Sequence, residues 1–438
     1  MKKRMGLLLL ISMFVTLIVS GCSGGSTSAG GEETITLTVW DTFTGDAQKN
    51  ASAAINKAFE AAHPNVKINQ VSKTPDALDQ TLKAAFMSGT APDVIYNEAG
   101  IGAAGDYVKA DHLLNLSDAF DSYGWNEDLV PVAKSIPTVG EITFAVGNEL
   151  ETMSLYYNQD IFDKLGLKAP ESIEELTASF EVIKNAGYYP LANTLDTKWW
   201  NNMNFVGTIL YSYMTKEEIT AVMDTDASWD LPSVRSAVAT IQLWLEKGYF
   251  PPSPEVDGDQ ENLFGTQKAA AWVVGNWEVA FLENTVKDTF KTAIVPFPGS
   301  ETNPDGGAQV NFAGGGYWVY AKTKHQQAAL DYIDFNLTDA EAVKIWTEQG
   351  KQIPSYAKES NADVSEYTKT IQNYLKDPAL NNMPGINMWV GSHTFDFFSK
   401  AGQQLAIKAL NADSFISTLE SARNKDIAAG NTKGSFNK

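Results

Sequence analysis

The chain has 438 residues, of which 44% are hydrophobic and 20% charged, and its formal net charge is −20 at pH 7. This is the composition of a globular protein, and its length exceeds what one hydrophobic core supports, so we expect at least two domains. The negative charge argues against a nucleic-acid ligand, because nucleic acids attract basic surfaces.

The N-terminal residues are predicted to be a targeting signal. A basic start at 2–4 precedes the apolar run 5–19, which is shorter than the roughly 20 residues that span a bilayer. This pattern is typical of a secretory signal, which we assign to residues 1–21. The sequence VSGC at 19–22 resembles the lipobox of bacterial lipoproteins.

Cys22 is the only cysteine in the chain. The lipobox resemblance implies cleavage before Cys22 and acylation of its thiol, which would anchor the protein at the extracytoplasmic face of the cell membrane. Residues 22–33 consist almost entirely of small and polar residues, which indicates a flexible tether. The folded part is therefore expected to begin near residue 34.

The segment from 34 to 98 is predicted to alternate strands and helices. Strict apolar–polar alternation predicts a strand over 34–40 with Trp40 on its threonine face. Helical spacing follows at 47–62 and 78–86, with strands at 66–71 and 94–96. This order indicates a parallel α/β sheet, in which ligands bind at the carboxyl ends of the strands. Those ends are 40–42 and 97–98.

The remaining sequence continues this mixture of elements. A helix is predicted to open at Ser172, a buried strand lies at 269–274, and further helices are expected over 234–245, 328–346 and 414–423.

The four histidines are scattered without ligand spacing, so no metal site is predicted. No phosphate-binding loop or other cofactor motif is present, and we expect no cofactor.

Four stretches together resemble one known family. They are LDQTLKAAFMSGTAPDVIY at 78–96, LYYNQDIFDKLGLKAPESIEEL at 155–176, FGTQKAAAWVVGNW at 264–277, and the glycine-rich strand at 314–321. Their order and spacing are similar to those of the extracellular solute-binding proteins of bacterial ABC importers, in the branch of maltose-binding protein and oligosaccharide receptors. In one departure, Gly147 stands where the family often has a proline.

The resemblance implies a two-lobe α/β fold of the type II periplasmic-binding-protein kind. Each lobe would be a mainly parallel sheet flanked by helices, with the ligand cleft between the lobes. The implied limits are 34–146 plus 297–347 for lobe one, and 148–295 plus 348–438 for lobe two.

The ligand-binding residues are predicted from the chemistry of a pyranose. An aromatic ring can cover its C–H face, while carboxylates and amides bond its hydroxyls, so tryptophan or tyrosine beside such groups is informative. Any one of these aromatics could instead belong to the core, and Trp389 is expected to do so. The predicted site residues are Trp40, Asp41, Thr42, Asn97, Glu98, Glu151, Trp199, Trp200, Trp277, Glu278, Gly316 and Tyr317.

The family resemblance implies a monomeric, lipid-anchored receptor without enzymatic activity. It would capture a carbohydrate, an oligosaccharide in particular, by closing its lobes, and deliver it to the permease subunits of an ABC importer. Two alternatives stay open at this point. One is an exported glycoside hydrolase that uses a carboxylate pair, and the other is a solute-binding protein for a non-sugar ligand.

Overall fold

The computed structural model of the protein describes residues 34–195, 200–224, 227–252, 259–307, 314–358, 360–377 and 383–433. Within these ranges no helix is long and apolar enough to cross a membrane. Cys22, with the whole predicted signal and tether, lies outside them.

The strands form two main sheets and one small hairpin. The first sheet has the order β2-β1-β3-β11-β6 and the second the order β10-β7-β9-β8, while β4 and β5 pair with each other. The strands are β1 Ile35–Asp41, β2 Val66–Ser72, β3 Val94–Glu98, β4 Thr138–Val139, β5 Ile142–Thr143, β6 Val146–Gly147, β7 Met153–Asn158, β8 Tyr189–Leu191, β9 Ala269–Gly275, β10 Thr292–Pro296 and β11 Gly315–Val319.

Helices cover these sheets and fill most of the remaining chain. Those before β9 are α1 Asp46–Ala62, α2 Pro75–Ser88, α3 Ile101–Lys109, α4 Ser117–Ser122, α5 Trp125–Asp128, α6 Val132–Ser135, α7 Gln159–Leu165, α8 Ile173–Asn185, α9 Trp200–Tyr213, α10 Lys216–Asp224, α11 Pro232–Lys247 and α12 Gln260–Gly265. After β9 come a 3₁₀ turn Asn276–Glu278, α13 Val279–Phe281, a π turn Leu282–Val286, α14 Gln326–Thr338, α15 Ala340–Glu348, α16 Glu366–Lys376, α17 Ile386–Trp389, α18 Ser392–Ala406 and α19 Ala412–Ala429.

The predicted α/β fold with two sheet-based lobes is confirmed, but both sheets are mixed. The pairs β1–β2, β1–β3 and β8–β9 are parallel. The strands next to the crossings between sheets, namely β6, β7, β10 and β11, pair antiparallel with their neighbours. We propose that the lobes keep the predicted limits, since the main strands fall inside them apart from the last residue of β6, Gly147, and the last residue of β10, Pro296.

Local sequence explains how the first sheet is built. Along β1 the residues Leu37 and Val39 are buried while Thr36 and Trp40 are more exposed, which confirms the predicted alternation. The helix α2 ends at Gly89, whose φ of 72° is favourable only for glycine. The helix predicted over 328–346 is interrupted at Asp339, whose side chain accepts hydrogen bonds from the first amides of α15.

The C-terminal helices contact α3 of lobe one at very short range. A Cβ atom on Gly100 would lie 2.4 Å from the Cα of Met388, and one on Gly102 would lie 2.5 Å from the ring of Phe395. The side chain of Asn431 adds a hydrogen bond of 3.0 Å to Asp106. The two parts of the chain therefore meet backbone against backbone, and only glycine fits on the α3 side.

We predict that Gly100→Ala destabilises the protein by about 1–3 kcal/mol, because its methyl group would overpack this contact. Gly45→Ala is the matched control: Gly45 also precedes a helix with an extended backbone, and its Cβ would meet nothing closer than 3.9 Å. Urea denaturation of both variants measures the difference. Equal losses of stability would contradict the close packing of α3.

Candidate functional site

Three glycines at the start of β11 allow neighbouring side chains to lie on the strand itself. A Cβ atom on Gly315 would meet the ring of Tyr96 at 2.2 Å, and one on Gly314 would meet the carboxyl carbon of Glu151 at 2.4 Å. Gly315 pairs with Glu98 and Gly316 with Asn97 in the antiparallel β3–β11 ladder. The glycine run thus brings Glu98 and Glu151 to the same end of the first sheet.

Three buried carboxyl groups lie where the chain passes from the first sheet to the second. Glu98, Glu149 and Glu151 are 1%, 3% and 7% exposed. The Tyr96 hydroxyl donates a hydrogen bond of 2.6 Å to Glu149 Oε1. Asn387 Nδ2, from the C-terminal segment, donates one of 2.8 Å to Glu98 Oε2.

The protonation of these carboxyl groups is strongly perturbed. Burial raises the pKa of Glu98 well above its ordinary value, and burial together with the charges of Glu149 and Glu98 does the same for Glu151. The pKa of Glu149 is raised to about 7, mainly by burial. Among the described residues, no ion pair involves any of the three. The buried environment therefore favours the protonated, neutral form of each carboxyl group over a negative charge that has no hydrogen-bond donor beside it.

A second polar cluster lies beside β9 in lobe two. Asn276 donates to the carbonyl of Leu150 at 3.1 Å and accepts from the amide of Thr152 at 2.8 Å, which fixes the segment that carries Glu151. The half-buried ring of Trp277 follows directly and folds back over Gly275. Asn276 thus holds Trp277 beside the segment 148–152, called here the crossing segment, which carries Glu149 and Glu151.

Glu278 faces away from these carboxyl groups toward α12. Its pKa is raised to about 8 by burial, by the nearby charges of Glu261 and Asp259, and by a hydrogen bond with Glu261. The pKa of Glu261 is raised as well, first by burial and then by the charge of Asp259.

Two predicted site residues have their polar groups bonded within the first sheet and its helices. Asp41 is fully buried, and its oxygens accept from the amide of Phe43 at 3.0 Å and the Gln70 amide group at 2.6 Å. Tyr317 lies in the core, with its hydroxyl 3.1 Å from Asn336 Oδ1. The polar groups of Asp41 and Tyr317 thus already have partners inside lobe one.

The remaining predicted residues have intermediate or undetermined positions. Trp40 is half-buried, and the ammonium group of Lys73 lies 4.7 Å from its ring centroid. Thr42 is half-buried in the turn after β1. Asn97 is buried and donates at 3.2 Å to Asp79, on the side of the sheet covered by α2. Trp199 and the side chain of Trp200 lie outside the described part of the chain.

The crossing segment also borders a cavity. Leu150, between Glu149 and Glu151, lines a cavity of about 680 Å³ with Val130, Val343 and Tyr356. None of the predicted site residues lines this cavity. In the described ranges no group of His, Cys, Asp and Glu side chains could hold a metal ion, although part of the acidic run Asp224–Ser228 lies outside them.

Comparison with known proteins identifies the family. Residues 44–343 match the model of the bacterial extracellular solute-binding protein family. The chain belongs to this family. Its resemblance to these proteins, expected from the sequence, is thereby confirmed.

Individual relatives of this solute-binding protein have low sequence identity to it, but the alignments span nearly the full length of both chains. An uncharacterized ABC transporter extracellular-binding protein of Pyrococcus horikoshii is 25% identical over 88% of this chain and 91% of its own length. The multiple sugar-binding protein of Streptococcus mutans is 22% identical over 93% and 94%. A solved structure described as a chitin oligosaccharide binding protein has a TM-score of 0.79 and 20% identity, and covers 90% of this chain and 99% of its own.

Sequence reasoning missed Asn387 and Asp79 of this solute-binding protein. Asn387 lies two residues before Trp389, so the aromatic–amide pattern used elsewhere was present there. Trp389 itself is expected to belong to the core. Its ring is half-buried, and the ammonium group of Lys433 lies 4.0 Å from the ring centroid. No sequence pattern near Asp79 indicates a binding site, because Asp79 meets Asn97 only when α2 packs on the sheet.

We predict that Glu149→Gln makes the stability of the ligand-free protein less dependent on pH. The folded pKa of Glu149, about 7, exceeds its ordinary value of 4.5. Its stabilising contribution is thus complete below pH 4.5 and is lost as the pH rises through 7. The variant should be more stable than the natural protein at pH 8, by on the order of 1–3 kcal/mol, and close to it at pH 4.5.

Urea denaturation between pH 4.5 and 8 measures this effect. Glu171→Gln, at an exposed position, is the control and should follow the natural protein at every pH. Parallel curves for Glu149→Gln and the natural protein would show that Glu149 ionises normally.

Proposed function

We propose that this solute-binding protein captures a carbohydrate of oligosaccharide size between its lobes. The observation that carries the proposal is a set of three buried oxygens without a hydrogen-bond partner where the two lobes meet, namely Glu98 Oε1, Glu151 Oε2 and Asn387 Oδ1. A sugar hydroxyl can form a hydrogen bond with each of these oxygens and adds no charge to the buried carboxyl groups.

The ring of Trp277 is proposed to cover a C–H face of the same ligand. It is half-buried, so part of the indole is open, and Asn276 fixes it next to the segment that carries Glu151. A stacked ring beside hydrogen-bonding oxygens is what a pyranose requires. The names of relatives that bind multiple sugars and chitin oligosaccharides support the same ligand class.

The protein is proposed to work as a monomeric receptor that passes its ligand to the permease subunits of an ABC importer. Closure about the crossing segments would bury the ligand, and a ligand shifts that equilibrium only through its preference for the closed form. The lipobox at 19–22 supports attachment to the outer face of the membrane through acylated Cys22.

A hydrolytic function has less support from the geometry. Glu261 and Glu278 form a carboxyl pair, but they are hydrogen-bonded to each other. Glycosidase carboxyl groups stand about 5 Å or more apart, so that the glycosidic bond fits between them. We therefore propose binding without turnover.

We predict that an oligosaccharide panel titrated into the purified protein changes its tryptophan fluorescence, and that Trp277→Ala lowers the affinity about tenfold. The loss corresponds to one aromatic contact of about 0.5–1.5 kcal/mol beyond the area that it buries. Trp277→Phe, which keeps a ring, should bind more tightly than Trp277→Ala. No response to any sugar, together with a response to peptides, would contradict the proposal, and release of reducing ends would favour a hydrolase.

We predict that Cys22→Ser releases the protein from the membrane of a bacterial host. Without the thiol no diacylglyceryl group can be attached, so the protein should move from the membrane fraction to the soluble extracytoplasmic fraction. Immunoblots of the two fractions measure this. Unchanged membrane association would contradict lipid anchoring.

A further inference from the structure

The cavity beside the crossing segment has no role in the function proposed above. It is enclosed by the loop before α6, the helix α15, the segment 353–364 and the helix α16. Its volume of about 680 Å³ lies within the range of roughly 300–1,000 Å³ that is typical of small-molecule sites. Neither Trp277 nor any of the buried carboxyl groups Glu98, Glu149 and Glu151 lines it, so it is separate from the candidate sugar site.

The walls of this cavity are largely apolar and belong to different parts of the core. Val130 and Tyr356 pack against the hydrophobic cluster of the first sheet, whereas Leu150 and Leu375 pack against the cluster around β9 and β10. All four side chains are only half-buried and line the cavity. A ligand with an apolar body would remove their remaining apolar surface from water, which favours its binding.

Backbone hydrogen bonds hold the walls in place without a ligand. The amide of Leu150 donates to the carbonyl of Ile353 at 2.7 Å, and the amide of Val130 donates to the carbonyl of Ser355 at 2.8 Å. The segment 353–355 is thereby fixed between the crossing segment and the loop before α6. A preformed wall reduces the ordering that a ligand has to impose when it binds.

The charged side chains at this cavity are lysines. Lys358 and Lys376 line it, and its described lining residues include no aspartate or glutamate, although the chain has 53 acidic and 33 basic residues. The ammonium group of Lys358 already contacts Asp128 Oδ1 at 2.5 Å. Lys376 takes part in no ion pair within the described ranges. Lys376 can therefore pair with an anionic group of a ligand.

We propose that this cavity is a second ligand site, which binds a small amphipathic organic anion with an apolar body and one carboxylate or sulfonate group. The apolar body lies against Val130, Leu150 and Leu375, and the anionic group lies beside Lys376. A sugar is poorly suited to this cavity, because its hydroxyl groups would lose water against apolar walls without gaining hydrogen bonds. The site thus adds a binding function that does not depend on sugar capture.

The probe that tests the proposal is anilinonaphthalene sulfonate, an aromatic anion whose fluorescence rises in apolar surroundings. We expect the dye to bind the folded natural protein and octanoate to displace it. Octan-1-ol has the same chain length without the charge, so it should displace the dye about threefold less well. The difference is modest because an ion pair with an exposed lysine adds little to binding.

Val364→Glu tests the location of the site. Val364 is a half-buried lining residue, and a carboxylate there would oppose both the apolar body and the negative charge. We expect the dye affinity to fall at least tenfold. Val182→Glu is the matched control, because Val182 is 42% exposed on α8, outside the cavity, and this variant should bind the dye like the natural protein.

Lys376→Ala tests the charge of the ligand. It should weaken octanoate binding about threefold and leave octan-1-ol unchanged, and the loss should diminish in high salt, which screens exposed charges. Lys369→Ala changes a lysine of the same helix that does not line the cavity, so it should alter neither affinity. Dye displacement at low and high salt measures both ligands.

The outcomes distinguish the parts of the proposal. No dye binding by the natural protein, or equal binding by Val364→Glu, would overturn the site. Equal affinities for octanoate and octan-1-ol would overturn the anionic ligand. Thermal melting checks that each variant folds, and if Val364→Glu does not, Lys376→Glu at an exposed position provides the same test of dye affinity. Sugar binding does not enter these measurements, so their failure would leave the proposed function standing.

Discussion

The close approach of side chains to the bare backbone of Gly314 and Gly315 is the constraint on which the site depends. The Tyr96 ring and the Glu151 carboxyl group occupy the space where side chains of β11 would otherwise stand. Tyr96 can then reach Glu149, and Glu151 can enter a region that already contains Glu98. Larger residues at these two positions would displace the acidic groups from the end of the sheet.

The same constraint explains the unusual electrostatics. Three carboxyl groups are brought together without an ion pair among the described residues, and burial penalises their charged forms. Such an arrangement costs stability in the free protein and persists in functional sites. In this protein the cost would be offset when a ligand supplies hydrogen bonds to the unpaired oxygens.

The fold could be predicted from the sequence because the information was local. Alternation along β1, the glycine at the end of α2 and the buried run of β9 each depend on a few neighbouring residues. A periodic hydrophobic pattern does not show where one helix ends and the next begins, so one predicted helix is too long. The single helix expected over 328–346 is two helices, because Asp339 caps the second one.

The site could be predicted only in part, because it depends on contacts between distant segments. Glu98 was found from its position at a strand end, yet Asp41, at the end of the neighbouring strand, is bonded to Gln70 and Phe43 inside lobe one. Tyr317 was chosen for its polar aromatic character, but both faces of β11 are buried, so its ring lies in the core. No local pattern relates Asn387 to Glu98.

The position of β11 in the first sheet has a consequence for biosynthesis. This strand lies between β3 and β6, although nearly 170 residues separate it from β6 in the sequence. The N-terminal part of a nascent chain therefore cannot complete its sheet until residues 315–319 have been made, and Asn387 follows later still. Contacts of such long range form slowly. A polypeptide that must cross a membrane unfolded would benefit from this delay, because its receptor form cannot assemble before almost the whole chain has emerged on the other side.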